Sequence, residues 1–404
     1  MRVVDVASKA EERFEVLDNT QLEIQLCGNG NDYMEKLRQI VKSSPTGSVC
    51  VERYADFIEG NGFNDVVFSE LEINHWGETT DDLHSKICQD MALFGGFALH
   101  LNYNVLGEVT EIFHIPFECC RLGQPDDMGN VGFIAYHPDW TGKKTFRGKI
   151  VPVDAEHITF FNIFNSDPRI VQEQIEACGG IEYYKGQILW CSTAGKNIYP
   201  TPKADRVITE MSTDEGISNV QYRNARCNFL PAGVFVTRKG DLAQIMIDNP
   251  NMSESDAQYE LKDRAKKLST ALKKLQGDAS TGKLMHLEAD SEEDIPKFIE
   301  FKTANYDKDF SVTSTNTTER IYSAFGQESF YCLRIGKVGF GGDVIEDAFS
   351  LYNSTVRKPQ RFIERVFRLL FSQWQGASYT DFSVEPLKYI SSKTTDNGNT
   401  ALDN

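Results

Sequence analysis

The sequence predicts an α+β fold, and three observations carry that expectation. Helix-spaced apolar stripes alternate with short aromatic and β-branched runs through the first half of the chain. Long helical segments dominate the second half, and no internal repeat is present. With 404 residues, 40% of them hydrophobic and 25% charged, the chain can bury a core shared among one to three domains.

The first half reads in order as follows. MEKLRQIVKSS (34–44) places Met34, Leu37, Ile40 and Val41 on one helical face, and PTGSVCVERYADFIEGNGF (45–63) continues as a helix that stops at Gly60 and Gly62. TTDDLHSKICQDMALFGG (79–96) predicts a helix capped by Thr80, with two aspartates in its first turn and Gly95-Gly96 at its end. FALHLNYN and VTEIFHIP (within 97–116) predict two strands around a turn at Gly107, and VGFIAYH (131–137) and ITFFNIF (158–164) predict two more. Residues 150–204, rich in Gly, Pro, Tyr and Asn, are expected to be irregular with short strands.

The second half changes character. Residues 203–228 predict a helix with Val207, Met211, Ile217 and Val220 on one side. FLPAGVFVT (229–237) breaks it at Pro231 and becomes a strand. SESDAQYELKDRAKKLSTALKKLQG (253–277) is the clearest helix: Ser253 or Ser255 caps it, acids lead, lysines trail, and Gly277 closes it. Its stripe is Ala257, Leu261, Ala265, Leu268, Leu272 and Leu275. KLMHLEA (283–289) is a strand, and 296–324 is an extended helical candidate opening at a proline. Residues 343–374 are helical, with Ile345, Phe349, Tyr352 and Val356 in one stripe and Phe362, Val366 and Leu370 in another. Pro359 between them is expected to kink or interrupt the helix. The polar tail from Ser391 is expected to be loose.

The chemistry classes are narrowed by exclusion. The net charge of −17 argues against a surface that coats nucleic acid. Nine scattered cysteines without a CxxC pair suit a reducing compartment; the start MRVVDVASKAEERFEVL, with early acids and no apolar segment, is not expected to be a secretory signal, and no run of 18 apolar residues is present. The segment LRIGKVGFGGDVIEDAF (333–349) crowds Gly336, Gly339, Gly341 and Gly342 before a helix, which invites a phosphate cradle. Its G-x-x-G-x-G-G order matches neither a P-loop nor a dinucleotide fingerprint. His100 and His114 are placed to face each other across the hairpin, yet no third metal ligand type joins them except Cys119 and Cys120, which point to opposite faces if extended. The acidic pairs Asp126-Asp127 and Glu292-Glu293 read as solvated turns. No G-x-S-x-G or HExxH is present, so no catalytic residue, cofactor or metal is expected. The cations Lys262, Arg264, Lys266, Lys267, Lys273 and Lys274 form a basic face that either touches phosphates or is solvated, with pairs such as Glu260–Arg264 and Asp263–Lys267.

The order of these pieces resembles the portal proteins, or head–tail connectors, of tailed bacteriophages. YRNARCNFLPAGVFVT (222–237), the capped helix, GDASTGKLMHLEAD (277–290), RIYSAFG (320–326), the glycine-rich stretch and the final long helix follow one another as in that family. The helix ending FGG, followed by FALHLNYN and VTEIFHIPFECCRLG, resembles its wing region. The resemblance covers most of residues 45–375. It implies a wing over 1–202, a first stem helix over 203–228, a clip over 229–294, a second stem helix over 295–325, a tunnel loop over 326–342 and a kinked wing helix over 343–374. A short segment over 375–404 stands where other portals have a crown, which is reduced or absent here.

The resemblance further implies a ring, usually of twelve subunits, that conducts double-stranded DNA at one capsid vertex and is assembled in the bacterial cytoplasm. Its partners would be the terminase large subunit, the major capsid or scaffold protein and a head–tail adaptor, with no membrane. Arg334 and Lys337 are then the candidate DNA-facing residues of the loop, and the four glycines its candidate hinge. Strands such as 233–237 and 283–289, too few for a stable sheet in one chain, would gain by pairing between neighbours. The alternatives are a soluble α+β enzyme with a nucleotide-handling or hydrolase site, and an adaptor-type ring protein, which would usually be much shorter.

Overall fold

The computed structural model describes residues 14–19, 21–143, 145–146, 149–227, 231–238, 283–289, 306–337, 339, 341–376 and 378–389, with single positions between 247 and 266. The fold is mixed α+β. The chain divides into two compact units, Met1–Thr213 with Asn316–Asn404, and Asp214–Thr315.

The first unit opens with the hairpin β1 (Val16–Asn19) and β2 (Ile24–Cys27), then α1 (Tyr33–Ser43) and α2 (Pro45–Glu59). Ser44 caps α2 by accepting a hydrogen bond from the Gly47 N–H at 2.9 Å, and Pro45 occupies a first-turn position where no N–H is needed. A short α3 (Val66–Ser69) leads to α4 (Thr80–Phe94). The cap of α4 is Thr79, one residue before the expected Thr80. Thr79 Oγ1 accepts from the Asp82 N–H at 3.2 Å, and the Asp82 carboxylate accepts from the Thr79 N–H at 3.0 Å. That reciprocal box is the stronger of the two options, and Thr80 is left fully buried with its hydroxyl donating to the Phe68 and Ser69 carbonyls.

Six strands form the central sheet in the order β4-β3-β10-β9-β6-β5. They are β3 (Gly96–Tyr103), β4 (Val109–Ile115), β5 (Cys120–Leu122), β6 (Phe133–Tyr136), β9 (Thr159–Ile163) and β10 (Gln187–Ser192). β7 (Thr145–Phe146) and β8 (Lys149–Ile150) form a separate small ladder. All neighbours are antiparallel except the parallel pair β9 and β10. Within 150–204 the expectation of irregular chain is corrected. β10 is a central strand buried at every residue, and α5 (Pro168–Ala177) precedes it. QILWCS shows no alternation because both faces are covered, so a period-2 search passes over it. α5 carried its own start signal, Asp167 capping the Arg169 N–H at 3.0 Å with Pro168 next.

The hairpin register also corrects the histidine expectation. Leu99 stands opposite His114 and His100 opposite Phe113, so the two histidines lie on opposite faces. His114 Nε2 is 2.8 Å from the Asp90 carboxylate, while His100 Nε2 is 2.6 Å from the Lys185 carbonyl. Asp126 closes a turn, accepting from the Met128 N–H at 2.9 Å and the Asn130 N–H at 2.7 Å, and Glu292-Glu293 lies outside the described residues.

The second half begins with a 3-10 turn at Lys203–Val207 and α6 (Ile208–Cys227). Val207, Met211 and Ile217 are buried, whereas Val220 is exposed. β11 (Pro231–Arg238) and β12 (Lys283–Ala289) pair with each other in parallel, so these two strands do find a partner within the chain. In the helix expected over 253–277, the Asp256 N–H donates to Ser253 Oγ at 3.2 Å, which settles the cap. The greater part of that helix, including Arg264, Lys267, Lys273 and Lys274, lies outside the described residues. Lys262 and Lys266 are helical and exposed.

α7 (Tyr306–Ala324), α8 (Glu328–Arg334) and α9 (Gly342–Phe371) complete the chain. The segment expected as a loop over 326–342 is thus half helix. α9 is unbroken through Pro359, so the expected interruption does not occur. One face of α9 buries Tyr352, Val356, Ile363, Val366, Phe367 and Leu370. Two buried glutamines fasten α8 and α9 to α2. Gln327 Nε2 donates to the Cys50 carbonyl at 2.8 Å and to the Tyr352 hydroxyl at 2.9 Å, and Gln360 Nε2 donates to the Phe57 carbonyl at 3.0 Å. The extended stretch after α9 returns to the end of α2, where Glu385 exchanges backbone hydrogen bonds with Asn61 and Gly62. A Cβ on Gly60 would sit 2.1 Å from the Glu385 carbonyl oxygen, and its φ is +64°, so only glycine fits.

Replacing Gln327 with Met leaves the Arg53 guanidinium and the Tyr352 hydroxyl each short of one buried partner. The expected cost is about 1–3 kcal/mol, read as a lower thermal midpoint. An unchanged midpoint would show that the network does not hold the helices. His84 is fully buried against Phe63 and Phe367, with both ring nitrogens unbonded, and burial pushes its pKa down to about 4. The unfolded chain takes up this proton near pH 6.5 and the folded chain only near 4, so stability is complete above 6.5 and is lost as pH falls between those values. The His84→Leu chain should lose about 3 kcal/mol less than the parent over that window. Equal losses would place the ring outside the core.

Candidate nucleic-acid interface

Two cationic features stand in the first unit. The first is the glycine-rich turn between α8 and α9. The Lys337 N–H donates to the Cys332 carbonyl and the Gly336 N–H to the Leu333 carbonyl, both at 3.1 Å, and Gly336 has φ +69°. This is a Schellman closure of α8, and it explains Gly336 without any appeal to motion. Gly339, Gly341 and Gly342 are different. None of them is in the left-handed region, and a Cβ would meet nothing within 4 Å at Gly339 and Gly342 and only Val344 Cγ2, at 3.9 Å, at Gly341.

Arg334 belongs to the last turn of α8, not to a loop, because the helix reaches it before the closure. Its Nη1 donates to the Tyr322 hydroxyl at 3.4 Å, and its guanidinium carbon lies 5.9 Å from that ring. Arg334 and Lys337 are both exposed at this helix end. Asp343 stands in the first turn of α9, where a negative charge offsets the exposed N–H groups.

The second feature went unread in the sequence. Lys358, Arg361, Arg365 and Arg368 recur at steps of three, four and three, which lines one exposed face of α9. The apolar stripe on the opposite face of α9 is the stronger sequence signal, although the basic spacing is equally regular. Lys358 and Arg365 meet Lys203 and Arg206 around a groove of about 530 Å³, floored by Tyr54, Pro359 and Phe362 and edged by residues 193–195. The Lys203 ammonium sits 3.9 Å from the centre of the Tyr54 ring. Burial lowers its pKa, and the Arg206 charge lowers it further. Glu364 is the acid among the cations of the adjoining hollow, and it is engaged by Arg357 at 2.8 Å and by the Val384 N–H at 3.2 Å.

Among the described residues, no group of three or more His, Cys, Asp or Glu side chains is placed to hold a metal ion, and no helix is long and apolar enough to cross a membrane. Cys27, Cys50, Cys88, Cys119, Cys120, Cys178, Cys191 and Cys332 are free thiols.

No protein-family model and no curated protein matches the chain. Its structural neighbours include components of gene transfer agent particles. The neck of an empty particle computed with C6 symmetry is 14% identical, covers 88% of this chain and 84% of its own, and has a TM-score of 0.48. The neck of a native particle computed with C12 symmetry is 15% identical, with 88% and 83% covered and a TM-score of 0.48. The virion of a native particle is 15% identical, with 87% and 83% covered and a TM-score of 0.43. Likeness at this level describes the neighbours and carries nothing about what this chain does.

The two kinds of glycine separate experimentally. Gly336→Ala should destabilise the fold by about 1 kcal/mol because alanine resists the left-handed region. Gly342→Ala should raise stability by about 0.5 kcal/mol by restricting the unfolded chain. Equal midpoints for the two variants would remove the capping explanation.

Proposed function

We propose that the chain is the subunit of a portal-like ring that conducts double-stranded DNA through a phage-type capsid vertex and offers a docking platform for a packaging motor and head-completion proteins. The observation that supports this reading is the succession of elements. A long helix (208–227) leads into one strand of a parallel ribbon, the second strand leads back to another long helix (306–324), and α8, a glycine-rich turn and a 30-residue helix follow. A two-stranded ribbon is marginal by itself. Pairing its free edges with neighbouring subunits in a closed head-to-tail ring would supply the missing strands.

In this reading residues 1–202 are the wing, 229–294 the clip, and 203–228 and 295–325 the stem helices. Residues 326–342 carry the tunnel loop, with 343–374 behind it and Pro359 as a bend point. Arg334 and Lys337 meet passing phosphates. Gly339, Gly341 and Gly342 serve a backbone that adopts other conformations while DNA moves. The acidic balance suits a conduit, since a strongly basic wall would hold the DNA it must release. Terminase, the capsid or scaffold protein and a head–tail adaptor are the expected partners.

Native mass measurement with negative-stain imaging tests the reading. A ring with a pore wide enough for a DNA duplex is expected, and a monomer or dimer under every assembly condition would overturn it in favour of a soluble α+β enzyme. Within an assembled particle, the Arg334→Ala/Lys337→Ala chain should still form rings but alter DNA packaging or retention. Normal packaging by that chain would take the loop out of the DNA path.

A further inference from the structure

We propose that the outer face of α9, together with the groove beside it, is a binding surface for the phosphate backbone of a nucleic acid. It is separate in residues from the glycine-rich turn. Lys203 and Arg206 reach the groove from the turn before α6, and Lys358 and Arg365 reach it from α9, so two elements of the fold converge four cations on one space. Among the described residues, none of those lining that groove is acidic. Arg361 and Arg368 carry the same charge along the helix, which gives a stripe about 15 Å long from Lys358 to Arg368 at 1.5 Å per residue.

A protein of net charge −17 has acids to spare, yet these six side chains form no ion pair with a carboxylate among the described residues. At Lys203, burial first and the neighbouring Arg206 second disfavour the charged form. A counter-charge from outside the chain relieves the second effect. The form of the surface selects the kind of counter-charge. A single small anion would satisfy the groove and leave Arg361 and Arg368 unused. A polymer with a charge on every unit matches a line of cations spaced by about 4.5 to 6 Å along the axis. Of Lys358, Arg361, Arg365 and Arg368, three are arginines, whose planar forks pair with phosphate oxygens in twos. The exposed Arg365 stem is steadied by its Nε donating to the Arg361 carbonyl at 3.3 Å and by the Phe362 ring at 5.9 Å, which lowers the entropy lost on binding. Nothing on this face reads bases, so binding should be indifferent to sequence.

The proposal does not depend on the ring assignment, since a single subunit displays the whole surface. The test is fluorescence anisotropy of the full chain with a labelled duplex of about 20 base pairs over a series of salt concentrations. The parent chain should bind, with log affinity falling linearly as log salt rises. The Arg361→Ala/Arg365→Ala/Arg368→Ala chain should bind at least about tenfold more weakly at low salt, and its salt slope should be smaller by about 2 to 3. Arg169→Ala, which removes an exposed arginine already paired with Asp167, should leave both unchanged. Circular dichroism checks that the triple variant folds, and if it does not, the corresponding triple Gln variant takes its place with the same expectation. Failure of the parent to bind, or equal binding by the variant, would overturn the proposal. So would equal binding of polyglutamate, which would make this an acidic-protein dock, or loss of self-assembly with DNA binding intact, which would make it a contact between copies.

Discussion

Two glutamine amides determine where the last third of the chain can go. Gln327 and Gln360 are buried, and each donates to a backbone carbonyl of α2, at Cys50 and Phe57. Buried amides without partners are costly, so α8 and α9 are held at the one position that satisfies both. Tyr352 closes the arrangement by donating to the Phe325 carbonyl at 3.2 Å. Around these polar points lies an aromatic cluster in which Phe57 meets Phe330, Phe349 and Tyr352, and Phe68 meets Phe367, Phe371 and Phe382. The aromatic contacts supply most of the burial. The amides supply the register, because apolar surfaces can slide past one another and hydrogen bonds cannot.

That register decides which side of α9 meets water. The buried face takes Val356, Ile363, Phe367 and Leu370, so Lys358, Arg361, Arg365 and Arg368 have to face outward. It also sets the ends of the glycine-rich turn. α8 finishes in a Schellman closure and α9 starts at an N-cap glycine without a side-chain cap, so the short stretch between them is bounded by two fixed helices. A basic surface and a turn of unconstrained glycines therefore follow from one packing arrangement, in a molecule whose overall charge has the opposite sign.

Much of the fold was legible in the sequence. α1, α2 and α4 were read to within a residue or two because apolar spacing and punctuation agree in each. β3, β4 and β12 were read for the same reason. β10 was lost because a strand covered on both faces has no period, and α5 because its Asp-Pro start lay in a stretch whose glycines and prolines suggested turns. Pro359 does not interrupt α9, one of the two outcomes expected of it. A proline inside a strongly amphipathic helix is tolerated when packing on both sides holds the turn together. Arg334 and Lys337 stand exposed together, but the positive φ of Gly336 belongs to a helix cap. Lys358, Arg361, Arg365 and Arg368 were passed over since each, taken alone, is an ordinary surface residue; their common face, and the lack of carboxylate partners among the described residues, set them apart.

The packing of α8 and α9 on α2 predicts that the three helices behave as one body while the glycines at 339, 341 and 342 rearrange. Hydrogen–deuterium exchange followed by mass spectrometry measures this directly. The amides of residues 45–59, 328–334 and 345–371 should exchange slowly and together, while those of Gly339, Gly341 and Gly342 exchange fast. Exchange in α8 and α9 far faster than in α2, with the turn no different from the helices around it, would contradict the account.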